Sequence, residues 1–167
     1  MLQALYVLAC AVLAMLAHEL GHYFAARKCH VPASEIGMGA GPRLCGVRLG
    51  SLQLNLRLYP IGSFVRLDGD ALYSRPLSQQ LFIHAGGVLM NLLLAVLAHG
   101  TFFGYINLIL GVTNMLPLYQ QDGWKCGVAL MRALLHRRSR PVEWVFTFSG
   151  GLSSIILGYM FLRLLLI

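Results

Sequence analysis

Residues 2–26 contain no lysine, arginine or proline and only one carboxylate, and that carboxylate lies between two histidines, in His18-Glu19-Leu20-Gly21-His22. As a helix the run reaches roughly 37 Å, enough to cross a bilayer core of about 30 Å with some tilt. On a helix, HExxH sets two imidazoles one turn apart on one face, where both can reach one zinc ion. The glutamate between them is placed to take a proton from a water on that ion. Ionisable side chains in hydrocarbon are costly and usually functional. Any fold of this chain must therefore bury a polar cluster among apolar helices.

Composition agrees. The chain is 57% hydrophobic and 11% charged, against roughly a quarter charged in soluble domains. This points to one compact polytopic membrane domain over residues 1–167. The formal net charge is +7, but the basic residues gather in loops. That suits membrane orientation, and no nucleic-acid partner is expected. Cys10, Cys29, Cys45 and Cys126 form no CxxC pair, so reduced thiols are expected. The first apolar run lacks a basic leader and a small-x-small cleavage site, and reads as a retained span.

Four spans are expected, at about residues 2–26, 81–98, 102–118 and 142–167. The fold class is an all-α membrane bundle with a small membrane-associated β-hairpin region, at about 44–67, between the first and second spans. The hairpin is read from the alternation Leu52-Gln53-Leu54-Asn55-Leu56-Arg57-Leu58, with Val47 to Leu49 pairing back across Gly50-Ser51. Phe64 to Leu67 reads as a further short strand. Its greasy face, with Leu54 and Leu56, either receives an unwound substrate as an added strand or is a plain surface hairpin. Pro117 is expected to break the third span. Twelve of the 13 basic residues fall in the loops after spans one and three. By the positive-inside rule those loops are cytoplasmic and both termini lie outside. HELGH and Asp122 then share one depth, on the cytoplasmic side.

A catalytic zinc usually takes a third protein ligand and leaves one position open. Asp122, just past the broken span, is the carboxylate at the right depth. Its other reading is an N-cap for the helix beginning near Trp124. His84 and His99 read as bonded to neighbouring helices, His30 and His136 as interfacial. Gly21 and Gly150-Gly151 read as sites of close helix packing.

The chain resembles the site-2 protease family of intramembrane zinc metalloproteases, in a compact form. HELGH is similar to that family's HExxH. Asn114-Met115-Leu116-Pro117-Leu118-Tyr119-Gln120-Gln121-Asp122-Gly123 matches its NxxPxxxxDG pattern. Pro60-Ile61-Gly62-Ser63-Phe64-Val65-Arg66-Leu67 resembles the segment leading out of its membrane-associated β-region. The resemblance implies one zinc per chain, held by His18, His22 and Asp122, with Glu19 as general base. It implies that Asn114 holds the substrate backbone or the oxyanion. The implied activity is hydrolysis of peptide bonds in or near transmembrane segments of single-span membrane proteins, in a prokaryotic plasma membrane. A separate regulatory membrane protein is a further expected partner. The rival reading is a catalytically silent adaptor or chaperone that keeps the metal site. In one departure, the family's Gly-Pro-x-x-Asn element appears as Gly87-Val88-Leu89-Met90-Asn91. In another, no PDZ domain is expected between the second and third spans, where the loop is short.

Overall fold

The computed structural model describes residues 2–135 and 140–165. In chain order the elements are α1 (Leu2–Lys28), β1 (Ala33–Leu49), β2 (Leu52–Leu67), α2 (Gly69–Tyr73), α3 (Leu77–Leu97), α4 (Phe102–Asn114), α5 (Asp122–Leu134) and α6 (Arg140–Leu165). The basic stretch at His136-Arg137-Arg138-Ser139 and the end of the expected fourth span at residues 166–167 lie outside the described residues.

Leucine and alanine carry α1 without interruption as far as Lys28. Its end is closed by a six-to-one bond from the Val31 N–H to the Ala26 carbonyl, with His30 in the left-handed conformation at φ 55°. Glycine usually takes that place in a helix-terminating motif of this kind. Val31 then joins Ala25, Ala26, Cys29, Leu72 and Ile83 in a small apolar cluster that ties α1, α2 and α3 together.

Two glycines set the approach of α1 to α3. A Cβ on Gly21 would overlap the Gly86 carbonyl, and one on Gly86 would meet the Gly21 carbonyl at 2.7 Å and the Ala25 methyl at 2.9 Å. The two backbones therefore touch at this crossing, as small residues permit in membrane helices. Packing was the sequence expectation for Gly21, and the contact is of that kind.

Beside that apolar cluster the bundle buries a polar one, and its outside is greasy. His18, Glu19, His22, His84, Asn91, Asn107 and Asp122 are buried. Leu5, Leu8, Leu13, Leu93, Val96, Ile109, Phe148 and Ile155 are exposed. Among the described residues two helices, α1 and α3, are long and apolar enough to cross a membrane. The four-span expectation is met only in part, because α4 and the apolar Pro141–Leu157 stretch of α6 are shorter. α4 has 13 residues, or about 20 Å, and stops at Asn114 rather than near residue 118. Pro117, three residues on, cannot continue it, and the Asn114 amide turns back to the Leu110 carbonyl at 2.9 Å.

The expected hairpin is present, with Leu49 opposite Leu52 and Val47 opposite Leu54 around Gly50 at φ 63°. The strands run further than expected, since β1 begins at Ala33 and passes through the glycine-rich segment at residues 37–41. Both strands bend sharply. Residues 35–38 have partners at 63–66 and a second set at 53–56. Residues 53–56 are thus flanked on both sides, whereas the partners of 63–66 lie on one side only. Glu35 fastens the bend. Its carboxylate takes the Asn55 amide at 2.7 Å, Arg57 at 2.9 Å and Arg66 at 3.1 Å. Burial pushes the Glu35 carboxyl up, but these donors outweigh it and hold the group below its ordinary range.

The α1–α3 crossing yields the first prediction. Gly86→Ala inserts a methyl where two backbones touch, and is expected to destabilise the protein by about 1–3 kcal/mol. Equilibrium denaturation in mixed micelles checks this; unchanged stability would mean the helices do not cross at Gly21 and Gly86.

Candidate metal centre

His18 and His22 stand one turn apart on the face of α1 that meets α3. Each imidazole is aimed by its Nδ1. His22 Nδ1 donates to the Ile83 carbonyl at 2.8 Å, an oxygen that can only accept. His18 Nδ1 donates to Asn91 Oδ1. The orientation of that amide is set by its own donors, since Asn91 Nδ2 reaches the Ala14 carbonyl at 3.1 Å and Asn107 Oδ1 at 2.7 Å. Asn107 Nδ2 in turn donates to the Phe103 carbonyl at 2.9 Å. A chain of amides from α3 and α4 therefore specifies the tautomer of a histidine on α1.

With both Nδ1 atoms protonated, both Nε2 atoms carry lone pairs, and they converge. The two Nε2 atoms are 3.1 Å apart, and Asp122 Oδ2 lies 3.0 Å from His18 Nε2 and 3.1 Å from His22 Nε2. Three acceptors facing one another without a proton between them repel unless a cation sits among them. Four-coordinate zinc with bonds of about 2.0–2.1 Å has ligand atoms roughly 3.3–3.4 Å apart, close to this triangle. The donor set thus fits zinc. Gly87 leaves the room, since a Cβ there would run into both imidazoles.

Asp122 opens α5, but it is not the cap. The N-cap position belongs to Gln121, which makes no side-chain capping bond. Asp122 is 2% exposed and spends Oδ2 on the histidines and Oδ1 on Lys125 Nζ at 2.9 Å. The turn before it is tight, with Gln120 at φ 69°. Of the Gly150-Gly151 pair expected to pack closely, Gly150 of α6 lies against the Pro117 carbonyl and the Trp124 ring, whereas a Cβ at Gly151 would meet open space.

Glu19 is buried beside the triad, and its Oε1 accepts from Ser63 Oγ of β2 at 2.8 Å. Both line a cavity of about 730 Å³ that also takes in His18, His22, Asp122 and Asn114. Asn114 faces this cavity with one amide hydrogen already given to Leu110. Leu54 and Leu56 do not line it. Each has partners on two sides, Ile36 and Val47 for Leu54, Met38 and Cys45 for Leu56. They therefore offer no free edge. The strand residues at the cavity are Gly62, Ser63, Phe64, Val65 and Leu67, of which Ser63, Phe64 and Val65 lie on the length of β2 paired on one side.

His84, read as bonded to a neighbouring helix, instead lines the cavity on the α3 face shared with Gly87 and Asn91. Asn107, Lys125 and Ser63 were not singled out from sequence. Asn107 carried a usable signal, being a polar residue within an apolar helix. The other two are decided by contacts between elements distant in the chain.

Residues 6–103 match the family model described as Peptidase family M50. The chain is 33% identical over 91 residues to a "putative zinc metalloprotease" of Clostridium perfringens, a match covering 50% of this chain and 27% of that protein. It is 35% identical over 89 residues to one of Clostridium acetobutylicum, covering 48% and 26%. It is 33% identical over 110 residues to one of Helicobacter pylori, covering 57% and 32%. The chain thus spans about a quarter to a third of the length of these relatives. The family match ends before Asp122, whose place in the centre rests on the geometry above.

The amide chain can be tested apart from any reaction. Asn91→Ala leaves His18 Nδ1 without its acceptor and is expected to weaken zinc binding about 10–100-fold. Competition with a chromophoric chelator measures this; wild-type affinity would mean the Asn91 amide does not orient His18.

Proposed function

The chain belongs to peptidase family M50, and on that footing we propose that it is a zinc endopeptidase cutting peptide bonds in or near the transmembrane segments of single-span membrane proteins. One observation carries the reading. Two histidines, a carboxylate and a second carboxylate outside that triad converge on one cavity inside helices whose outer faces are apolar. His18, His22 and Asp122 would hold one zinc ion. When bound, the ion supplies Lewis acidity, polarising a carbonyl and making water a usable nucleophile near neutral pH.

The chain's own groups do the rest. Glu19 takes the proton from the attacking water and returns it to the leaving amine. Asn114 keeps one amide hydrogen and a carbonyl oxygen for the substrate backbone or the developing oxyanion. A helix must unwind to expose a bond to this site, and its freed backbone groups need partners. The open edge of residues 63–66 supplies them, rather than Leu54 and Leu56. Water enters from the cytoplasmic side, where the basic loops set the orientation, with four helices in the membrane and both termini outside. The bacterial relatives suit a prokaryotic plasma membrane. An intact Glu19 speaks against a silent adaptor, which would need no base.

Glu19→Gln is expected to retain one zinc per chain and to cleave no single-span substrate in proteoliposomes, a loss of at least about 10²-fold. Cleavage by that variant would remove Glu19 as base, and absence of zinc from the wild type would remove the metal. Asp122→Ala is expected to lose zinc and activity together. The edge is tested by disulfide trapping in a Cys45→Ser background. A substrate cysteine beside the scissile bond should couple to Val65→Cys and not to Leu54→Cys; the reverse pattern would restore the outer hairpin.

A further inference from the structure

β2 does two things at the cavity. Residues 63–66 present a backbone edge with partners on one side only. From the first of them, Ser63 Oγ donates to Glu19 Oε1 at 2.8 Å. Glu19 is 6% exposed, and this is the hydrogen bond it makes to another side chain among the described residues. Its carboxylate is therefore oriented by the sheet, whereas the zinc ligands beside it are oriented by α3, α4 and Lys125. Ser63 is half-buried and sits opposite Met38 in the paired strands. Gly62 before it is at φ 75°, so the strand turns into the cavity at this point.

We propose that Ser63 is a positioning residue that couples substrate docking on the β2 edge to alignment of the base. The proposal rests on the reading of the site as a peptidase. A substrate strand laid along residues 63–66 settles β2 against the cavity, and the serine hydroxyl carries that position to the Glu19 carboxylate. Docking energy gained away from the scissile bond then appears as a faster chemical step, not only as tighter binding. A hydroxyl that merely pinned the sheet to α1 would not act in this way.

The test compares zinc-loaded wild type, Ser63→Ala and Ser63→Thr on one single-span substrate whose cleavage site has been located by mass spectrometry. Ser63→Ala is expected to lose about tenfold in kcat, the effect of one ordinary hydrogen bond, with KM and zinc content unchanged. Ser63→Thr, which keeps the hydroxyl, is expected to recover most of the loss. A second substrate carries proline beside the cleavage site, where it cannot donate to a strand. It should slow the wild type but slow Ser63→Ala little further, because both changes interrupt one coupling. An unchanged kcat in Ser63→Ala, an equal loss in Ser63→Thr, or losses that multiply would each overturn the proposal.

A readout without turnover separates this failure from failure of the peptidase reading. The carboxylate stretch of Glu19, identified by its disappearance in Glu19→Gln, should shift in Ser63→Ala and return in Ser63→Thr. An unmoved band overturns the contact even if the enzyme is active. A shifted band in a protein that cleaves nothing upholds the contact and counts against the reaction.

Discussion

The contact between the α1 and α3 backbones at Gly21 and Gly86 is the constraint on which the rest depends. It brings Asn91, Ile83 and Gly87 of α3 within reach of two histidines on α1. A side chain at either glycine would force the helices apart, and imidazole–amide hydrogen bonds do not survive such a separation. From that crossing the order of assembly follows. α3 aims the histidines, α4 aims Asn91 through Asn107, and the turn after α4 delivers Asp122 to the open side of the pair.

The resulting interior inverts the usual partition. Polar groups are gathered inside, and His18, Glu19, His22, Asn91, Asn107 and Asp122 are each held by a partner that fixes direction. Apolar side chains face out along the helices. In water this would be an unstable arrangement, because exposed leucine and phenylalanine gain nothing. In a bilayer the apolar exterior is solvated and the buried polar groups are the costly part, so their mutual bonding matters most. Lys125 extends the same economy to the edge of the centre, where it engages the Asp122 oxygen that the histidines do not use.

The sheet answers a separate need. In the proposed function, a strand edge beside the candidate metal centre would accept a backbone that has lost its helical bonds. The bend fastened by Glu35, Asn55, Arg57 and Arg66 decides which edge that is. Folding the hairpin back on itself pairs residues 53–56 on both sides and leaves 63–66 open toward the cavity. The alternation that drew attention to Leu54 and Leu56 correctly identified a strand. It carried no information about which strand would be covered, because period-two patterning reports on faces and not on edges.

The sequence by itself determined the helix that carries HELGH, the hairpin turn at Gly50 and a break imposed by Pro117, though not that the helix already stops at Asn114. Each of these is local: a helical spacing, a positive-φ turn, a proline that cannot donate. It also singled out Asp122, because few carboxylates were available to complete the set. Only the tertiary structure took Asp122 out of the cap position and set it against His18 and His22, assigned the orientation of His18 to Asn91 and Asn107, turned His84 toward the cavity, and brought Ser63 to Glu19. Those outcomes depend on helix crossing and sheet bending between segments 44 to 100 residues apart. No window of the sequence holds both partners, and their meeting is set by how closely two backbones can approach.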